Sequence, residues 1–379
     1  MNMKFGTKLI HFGYDYDEKT GALGVPIYQT STFHQRDPEK GQEYDYSRSG
    51  NPTRKALEDV VAQLEEGTAG FAFASGMAAI SSVLSIFSSG DHVLICEDVY
   101  GGTFRMATKF FTRFHVDTSF VDAGSPEAVR RAIRPETKAL FLETPSNPLL
   151  KITDLRAMIR IARENNLIVI VDNTFLSPYL QRPLALGADI VIHSGTKFIG
   201  GHSDVLSGLC VVKDKALASR IYFVQNGFGG VLGPQDSWLL LRGLKTLKVR
   251  MDAQQATAKK IAEWLDGRSD IPAVYYPGLA NHPGREIHEA QADGPGCVLS
   301  FRCGSRERAL KFLKNIRLAA AAVSLGGVET IASYPVKMSH ASIPPDARAR
   351  LGITDDLIRI SAGLEDADDL LEDFEQALR

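Results

Sequence analysis

Cysteine is scarce in this chain. Cys96, Cys210, Cys297 and Cys303 are the only four in 379 residues, and none stands in a C-x-x-C pair. That density excludes a disulfide framework and leaves free, mostly buried thiols as the expectation. Zinc spacing is missing too. His193 and His202 lie near Asp204, but no H-E-x-x-H occurs, so no metal site is expected. Charge of one sign is not in excess: 43 Lys and Arg against 45 Asp and Glu give a formal −2. A polyanion partner such as nucleic acid is therefore not expected. No apolar run approaches the roughly 18 residues a bilayer span needs. The opening MNMKFGTKLIHFG has neither an apolar h-region nor a small-residue cleavage site, so a cytoplasmic location is expected. No G-x-x-x-x-G-K-[ST] is present, and no G-x-G-x-x-G follows a strand. GFGGVLG (227–233) has the wrong spacing, which argues against a nucleotide-binding oxidoreductase.

Hydrophobic residues make up 44% and charged residues 23% of the chain, ordinary for a globular protein of two domains plus an arm. Residues 1–50 read as an irregular, aromatic-rich arm with turn residues at Gly13, Gly21, Gly24, Pro26, Pro38 and Gly41. An arm this long stays disordered unless it docks, which points to a neighbouring subunit. Residues 52–67 predict a helix, with Pro52 at its first position, Leu57, Val60, Val61 and Leu64 on one face and Gly67 as its stop. FAFAS (71–75), HVLICED (92–98), KALFLETP (138–145), LIVIVDNT (167–174), DIVIHSGTK (189–197) and GLCVVK (208–213) are short apolar runs without clean alternation, as expected of strands covered on both faces. Helical stretches such as 76–90 and 154–166 alternate with them. The expectation is an α/β domain with a mostly parallel sheet over 51–250. A long helical stretch (235–265) leads into a smaller C-terminal α+β domain at 251–379.

Parallel sheets bind ligands at the carboxyl ends of their strands. There the sequence offers Ser75, Gly76 and Met77 at a helix start, Asp172, and then Ser194, Thr196 and Lys197. Tyr100 follows another strand. A helix start suits a phosphate, a carboxylate suits a protonated pyridine nitrogen, a lysine amine suits an aldehyde, and an aromatic face suits a ring. That is the requirement list of pyridoxal 5′-phosphate (PLP). Singly, each residue has a plain alternative: a solvated lysine, a turn aspartate, a tight strand–helix turn, a core tyrosine. Their order along consecutive strands is what favours the cofactor.

With these residues in view, the chain resembles the Cys/Met-metabolism family of fold-type I PLP enzymes over nearly its whole length. The resemblance is carried by YDYSRSGNPTR (44–54), FASGMAA (73–79), DVYGGT (98–103), ETPSNP (143–148), VDNTF (171–175), RPLALGADIVIHSGTKFIGGHSD (182–204), VSLGGVET (323–330) and IRISAGLED (358–366). It implies that Lys197 binds the cofactor aldehyde and moves protons, with Tyr100 stacked on the ring and a second catalytic candidate. It implies that Asp172 pairs with the ring nitrogen, that Asn147 lies beside the ring hydroxyl, and that Gly76, Met77, Ser194 and Thr196 take the phosphate. Tyr46 and Arg48 would reach the phosphate of a neighbouring subunit, so a homotetramer (a dimer of dimers) with shared sites is implied. Arg359, helped by Ser324, would grip the substrate carboxylate. One departure is Gly195, where the family often has alanine. Methionine γ-lyases usually carry a cysteine where this chain has Gly102, which counts against methionine. Asp45, Glu329 and Arg105 match positions suited to the distal end of cystathionine. The wording of STFHQ (31–35), GGTFRM (101–106), YYPGLANHPG (275–284) and SYPVKMSHA (333–341) resembles bacterial cystathionine β-lyases. Cystathionine γ-lyase and γ-synthase are the alternatives, and a catalytically inactive PLP-binding scaffold is the rival from another class.

Overall fold

The computed structural model describes residues 3–11 and 16–379; Gly13 lies outside them. Seven strands form the main sheet: β1 (Ala69–Phe73), β2 (His92–Cys96), β3 (Asp117–Val121), β4 (Thr137–Glu143), β5 (Ile168–Asp172), β6 (Ile190–Ser194) and β7 (Gly208–Val212). Their order is β1-β7-β6-β5-β4-β2-β3. The pairs from β6 across to β3 are parallel, and β7 is antiparallel to both of its neighbours. β2, β4, β5, β6 and β7 are buried almost throughout, which is why their sequences run apolar instead of alternating. The edge strand β3, Asp117–Val121, is mostly half-exposed and mixed in character. It has no apolar run to announce it.

A second sheet, ordered β10-β11-β12-β9-β8, is built from β8 (Ala273–Tyr275), β9 (Val298–Arg302), β10 (Ala320–Ala321), β11 (Ile331–Ser333) and β12 (Leu357–Ser361). It covers a separate apolar core around Phe301, Phe312 and Phe374. The helix Leu247–Asp266 joins the two cores, with Met251 in the first and Ala258, Ile261 and Leu265 in the second.

Three local expectations are revised. The 235–265 stretch is two helices, Pro234–Lys245 and Leu247–Asp266. The break falls where buried Arg250 donates from Nη2 to the Gly243 carbonyl (2.8 Å) and from Nε to Thr246 Oγ1 (3.0 Å). The helix from Pro52 ends at Leu64, and Glu66, not Gly67, takes the left-handed turn at φ 60°. The arm is not irregular throughout, since Phe5–His11 is helical. Leu9 sits in the main core at 1% exposure, and the Phe5 ring lies 5.6 Å from that of Tyr179. The base of the arm is tied to the next helix: Thr53 Oγ1 accepts from the Tyr28 N–H (2.9 Å) and donates to the Pro26 carbonyl (2.8 Å). Among the described residues no helix is long and apolar enough to cross a membrane. All four cysteines are buried and unpaired.

Candidate active site

Three neighbouring parallel strands end in polar side chains: Glu143 on β4, Asp172 on β5 and Ser194 on β6. They face a cleft of about 320 Å³ that also takes in Gly76, Met77, Tyr100, Asn147, Thr196, Lys197, Ser324 and Arg359. Lys197 stands in the turn after β6. Among the contacts that hold that turn, the Lys197 carbonyl accepts from the Gly201 N–H (2.8 Å), and the Phe198 carbonyl accepts from Arg250 Nη1 (2.8 Å). The Lys197 amine donates to Ser324 Oγ at 2.6 Å. Burial, aided by the Arg359 guanidinium, lowers its pKa to about 8. Ser324 itself is held at φ 85°, a conformation costly for a residue with a Cβ. Its carbonyl accepts from Arg359 Nη2 at 2.5 Å.

Asp172 is buried. Its Oδ1 accepts from the Thr174 N–H (3.1 Å) and hydroxyl (2.6 Å). Burial raises its pKa, and the Thr174 hydrogen bonds oppose the rise. Glu143 is its cross-strand register partner. Burial and then the Asp172 charge push Glu143 well above the ordinary carboxylate range. Arg359, on β12 and 3% exposed, donates from Nη1 to Asn147 Oδ1 and from Nη2 to Ser333 Oγ, both at 3.0 Å. Its Nε–H has no partner, and burial lowers its pKa to about 10. A buried, pre-oriented guanidinium lining a cleft is suited to a carboxylate.

At the other end of the cleft the helix Gly76–Leu84 begins, capped by Ser75 Oγ accepting from the Ala78 N–H (3.0 Å). A Cβ on Gly76 would lie 3.0 Å from that of Ser194, so the close approach of helix start and strand end favours glycine. The Ser194 and Thr196 hydroxyls line the same end. Thr196 Oγ1 is oriented by Ser207, accepting its N–H (3.0 Å) and donating to its carbonyl (3.2 Å).

With this geometry described, comparison with known proteins places it. The profile of the Cys/Met metabolism PLP-dependent enzymes matches residues 6–379. The chain belongs to that family. It is 56% identical over 378 residues to the cystathionine gamma-lyase of Bacillus subtilis (strain 168), covering 99% of each chain. It is 55% identical to the cystathionine beta-lyase MetC of the same strain, covering 100% of this chain and 97% of that one. A crystal structure of cystathionine gamma-lyase from Lactobacillus plantarum complexed with L-serine superposes with a TM-score of 0.97 at 47% identity, covering 99% of this chain and 98% of that one. The fold is thus PLP-dependent fold type I, and PLP is the cofactor.

The residues present fit that group. The Lys197 amine gives up its proton far more readily than an ordinary lysine, a buried carboxylate, Asp172, lines the same cleft with no Lys or Arg ion pair among the described residues, and hydroxyls and a helix start stand at one end of the cleft. Of the residues picked from sequence, Gly76, Met77, Tyr100, Asn147, Asp172, Ser194, Thr196, Lys197, Ser324 and Arg359 converge here. Asp45, Tyr46, Arg48, Arg105 and Glu329 do not line this chain's own cleft. All five are exposed, with Arg48 Nη1 donating to the Asn226 carbonyl (2.7 Å) and Glu329 accepting from Ser203 Oγ (3.0 Å). Glu143, Thr174, Ser333 and the apolar pair Leu206 and Val323, 67% and 64% exposed, were not foreseen. The rule that singled out Asp172, a polar residue at a strand's carboxyl end, also applies to Glu143 and would have found it. Leu206 and Val323 lie in loops and carry no such signal.

The departure at Gly195 has a local cause. A Cβ there would meet Ser207 Oγ at 2.4 Å, so the small residue makes room for the serine that orients Thr196.

Proposed function

We propose that this chain cleaves the Cβ–S bond of L-cystathionine, consuming water and giving homocysteine, pyruvate and ammonia. The observation that carries the reading is Lys197. Its amine has a pKa of about 8, is held 2.6 Å from Ser324 Oγ, and shares one cleft with Asp172 and Arg359. Bound PLP supplies an aldehyde that takes the substrate amine and a ring that accepts the electron pair released at Cα. Lys197 holds the cofactor, and Asp172 keeps its ring nitrogen protonated. Gly76, Met77, Ser194 and Thr196 receive its phosphate, and Tyr100 covers its face. Arg359 fixes the substrate carboxylate, while Asn147, Ser333 and Ser324 hold the guanidinium in place. The Lys197 amine, once free, removes the Cα proton as general base. The Cβ–S electron pair leaves with sulfur, which takes a proton from the Tyr100 hydroxyl.

Cleavage on the γ side, giving cysteine, 2-oxobutyrate and ammonia, is the second reading, favoured by the 56% identity to a cystathionine gamma-lyase. The active assembly in this reading is a cytoplasmic homotetramer. Tyr46 and Arg48 of the arm reach the cofactor phosphate of a neighbour, and Asp45, Arg105 and Glu329 contact the distal end of the substrate. Incubation of the PLP-loaded protein with L-cystathionine and separation of the products tests this. Homocysteine with pyruvate is expected. Cysteine with 2-oxobutyrate would replace the first reading by the second, and no product would remove both.

A further inference from the structure

Glu143 is the buried carboxyl group of the cleft with no role in the reading above. Its side chain is placed between two segments that approach the cofactor region from different parts of the chain. Oε2 accepts the Tyr100 N–H at 3.0 Å, and Oε1 accepts the Asn147 N–H at 3.0 Å. Tyr100 opens the helix Gly101–Lys109, where its own side chain makes no capping bond, so Glu143 satisfies a donor at that helix start. Asn147 Oδ1 in turn accepts from Arg359 Nη1, Arg359 Nη2 donates to the Ser324 carbonyl, and Ser324 Oγ accepts from Lys197. One hydrogen-bonded path therefore runs from Tyr100 through Glu143, Asn147, Arg359 and Ser324 to Lys197. Glu143 is the side chain that joins its two halves.

We propose that Glu143 is a positioning residue that fixes the Tyr100 loop against the Asn147–Arg359 arm, and so sets ring stacking and substrate-carboxylate binding together. The proposal rests on the PLP and amino-acid reading of this cleft. Two acceptor oxygens are needed, one for each N–H. Glutamine keeps the shape but supplies one acceptor and turns an NH2 group against the other donor, leaving a buried backbone group unpaired.

The test is Glu143→Gln in the PLP-loaded protein, measured at a temperature where its far-ultraviolet circular dichroism matches the parent. Three effects are expected. The visible circular-dichroism band of the bound cofactor shrinks, KM for the amino acid rises, and kcat/KM falls by about 10- to 100-fold. An unchanged visible band together with an unchanged KM would overturn the proposal, whatever happens to thermal stability. Should the variant not fold, amide hydrogen exchange in the parent decides. Slow exchange at both Tyr100 and Asn147 is expected, and fast exchange at either overturns the proposal. The exchange measurement needs no turnover, so failure of the lyase assignment is read separately from product analysis of the parent.

Discussion

At the scale of single residues, the chemistry turns on how this fold treats one amine. Lysine normally holds its proton far above neutral pH, and a protonated amine has no lone pair to offer. Removing Lys197 from water and setting Arg359 beside it brings the pKa down from 10.5 to about 8. The shift is downward, so the reactive neutral form grows as pH rises and is nearly complete above that value. Capture of PLP by cofactor-free protein, followed by stopped-flow absorbance, should therefore accelerate about tenfold per pH unit below about 8 and level off above it. A rate still climbing steeply near the ordinary lysine pKa would show that the amine is not depressed. Lys197 and Asp172 were legible in the sequence because each lies at or next to the end of a strand of recognisable type, whereas Arg359 was reached only through the family resemblance. Glu143 ends a strand just as plainly, yet its two backbone partners come from loops whose approach only the fold reveals.

At the scale of elements, the turn that presents Lys197 depends on a matched pair of small side chains. Gly195 lies against Ser207, whose Oγ is buried with no hydrogen-bond partner. Gly195→Ala should cost about 1–3 kcal/mol, because the new methyl cannot share that space. Ser207→Ala should by itself cost little, since the hydroxyl it removes is unpaired. Combined with Gly195→Ala it should restore most of the loss. Urea unfolding of the three variants measures this, and a double variant no better than Gly195→Ala would contradict the steric account. The inner strands and the apolar faces of the helices were legible because full burial imposes unbroken apolar runs and 3.6-residue periods. β3 and the helix Phe5–His11 were not. The first is a partly exposed edge with mixed residues. The second is a seven-residue segment whose packing on Tyr179 and the main core is a long-range contact. The break after Lys245 was hidden too, because it is stabilised by Arg250 reaching back to Gly243 and not by a proline or glycine at the junction.

At the scale of the whole molecule, Tyr46 and Arg48 are exposed on a tethered arm and do not line the cleft that holds Lys197 in their own chain, while that cleft is built from one chain's two cores. If neighbouring subunits complete one another's sites, Lys197→Ala and Arg48→Ala should each be impaired alone. Mixing them under conditions that allow subunit exchange should recover part of the activity, since some hybrid sites then carry both native residues. Activity that stays at the level of the unmixed variants would place Arg48 outside the site. The assignment of the chemistry itself rests on where the cofactor is attached. Borohydride reduction of the purified PLP-loaded protein, followed by peptide mass mapping, should leave a pyridoxyl-phosphate adduct on the peptide containing Lys197 and on no other. An adduct on a different lysine, or none at all, would contradict it.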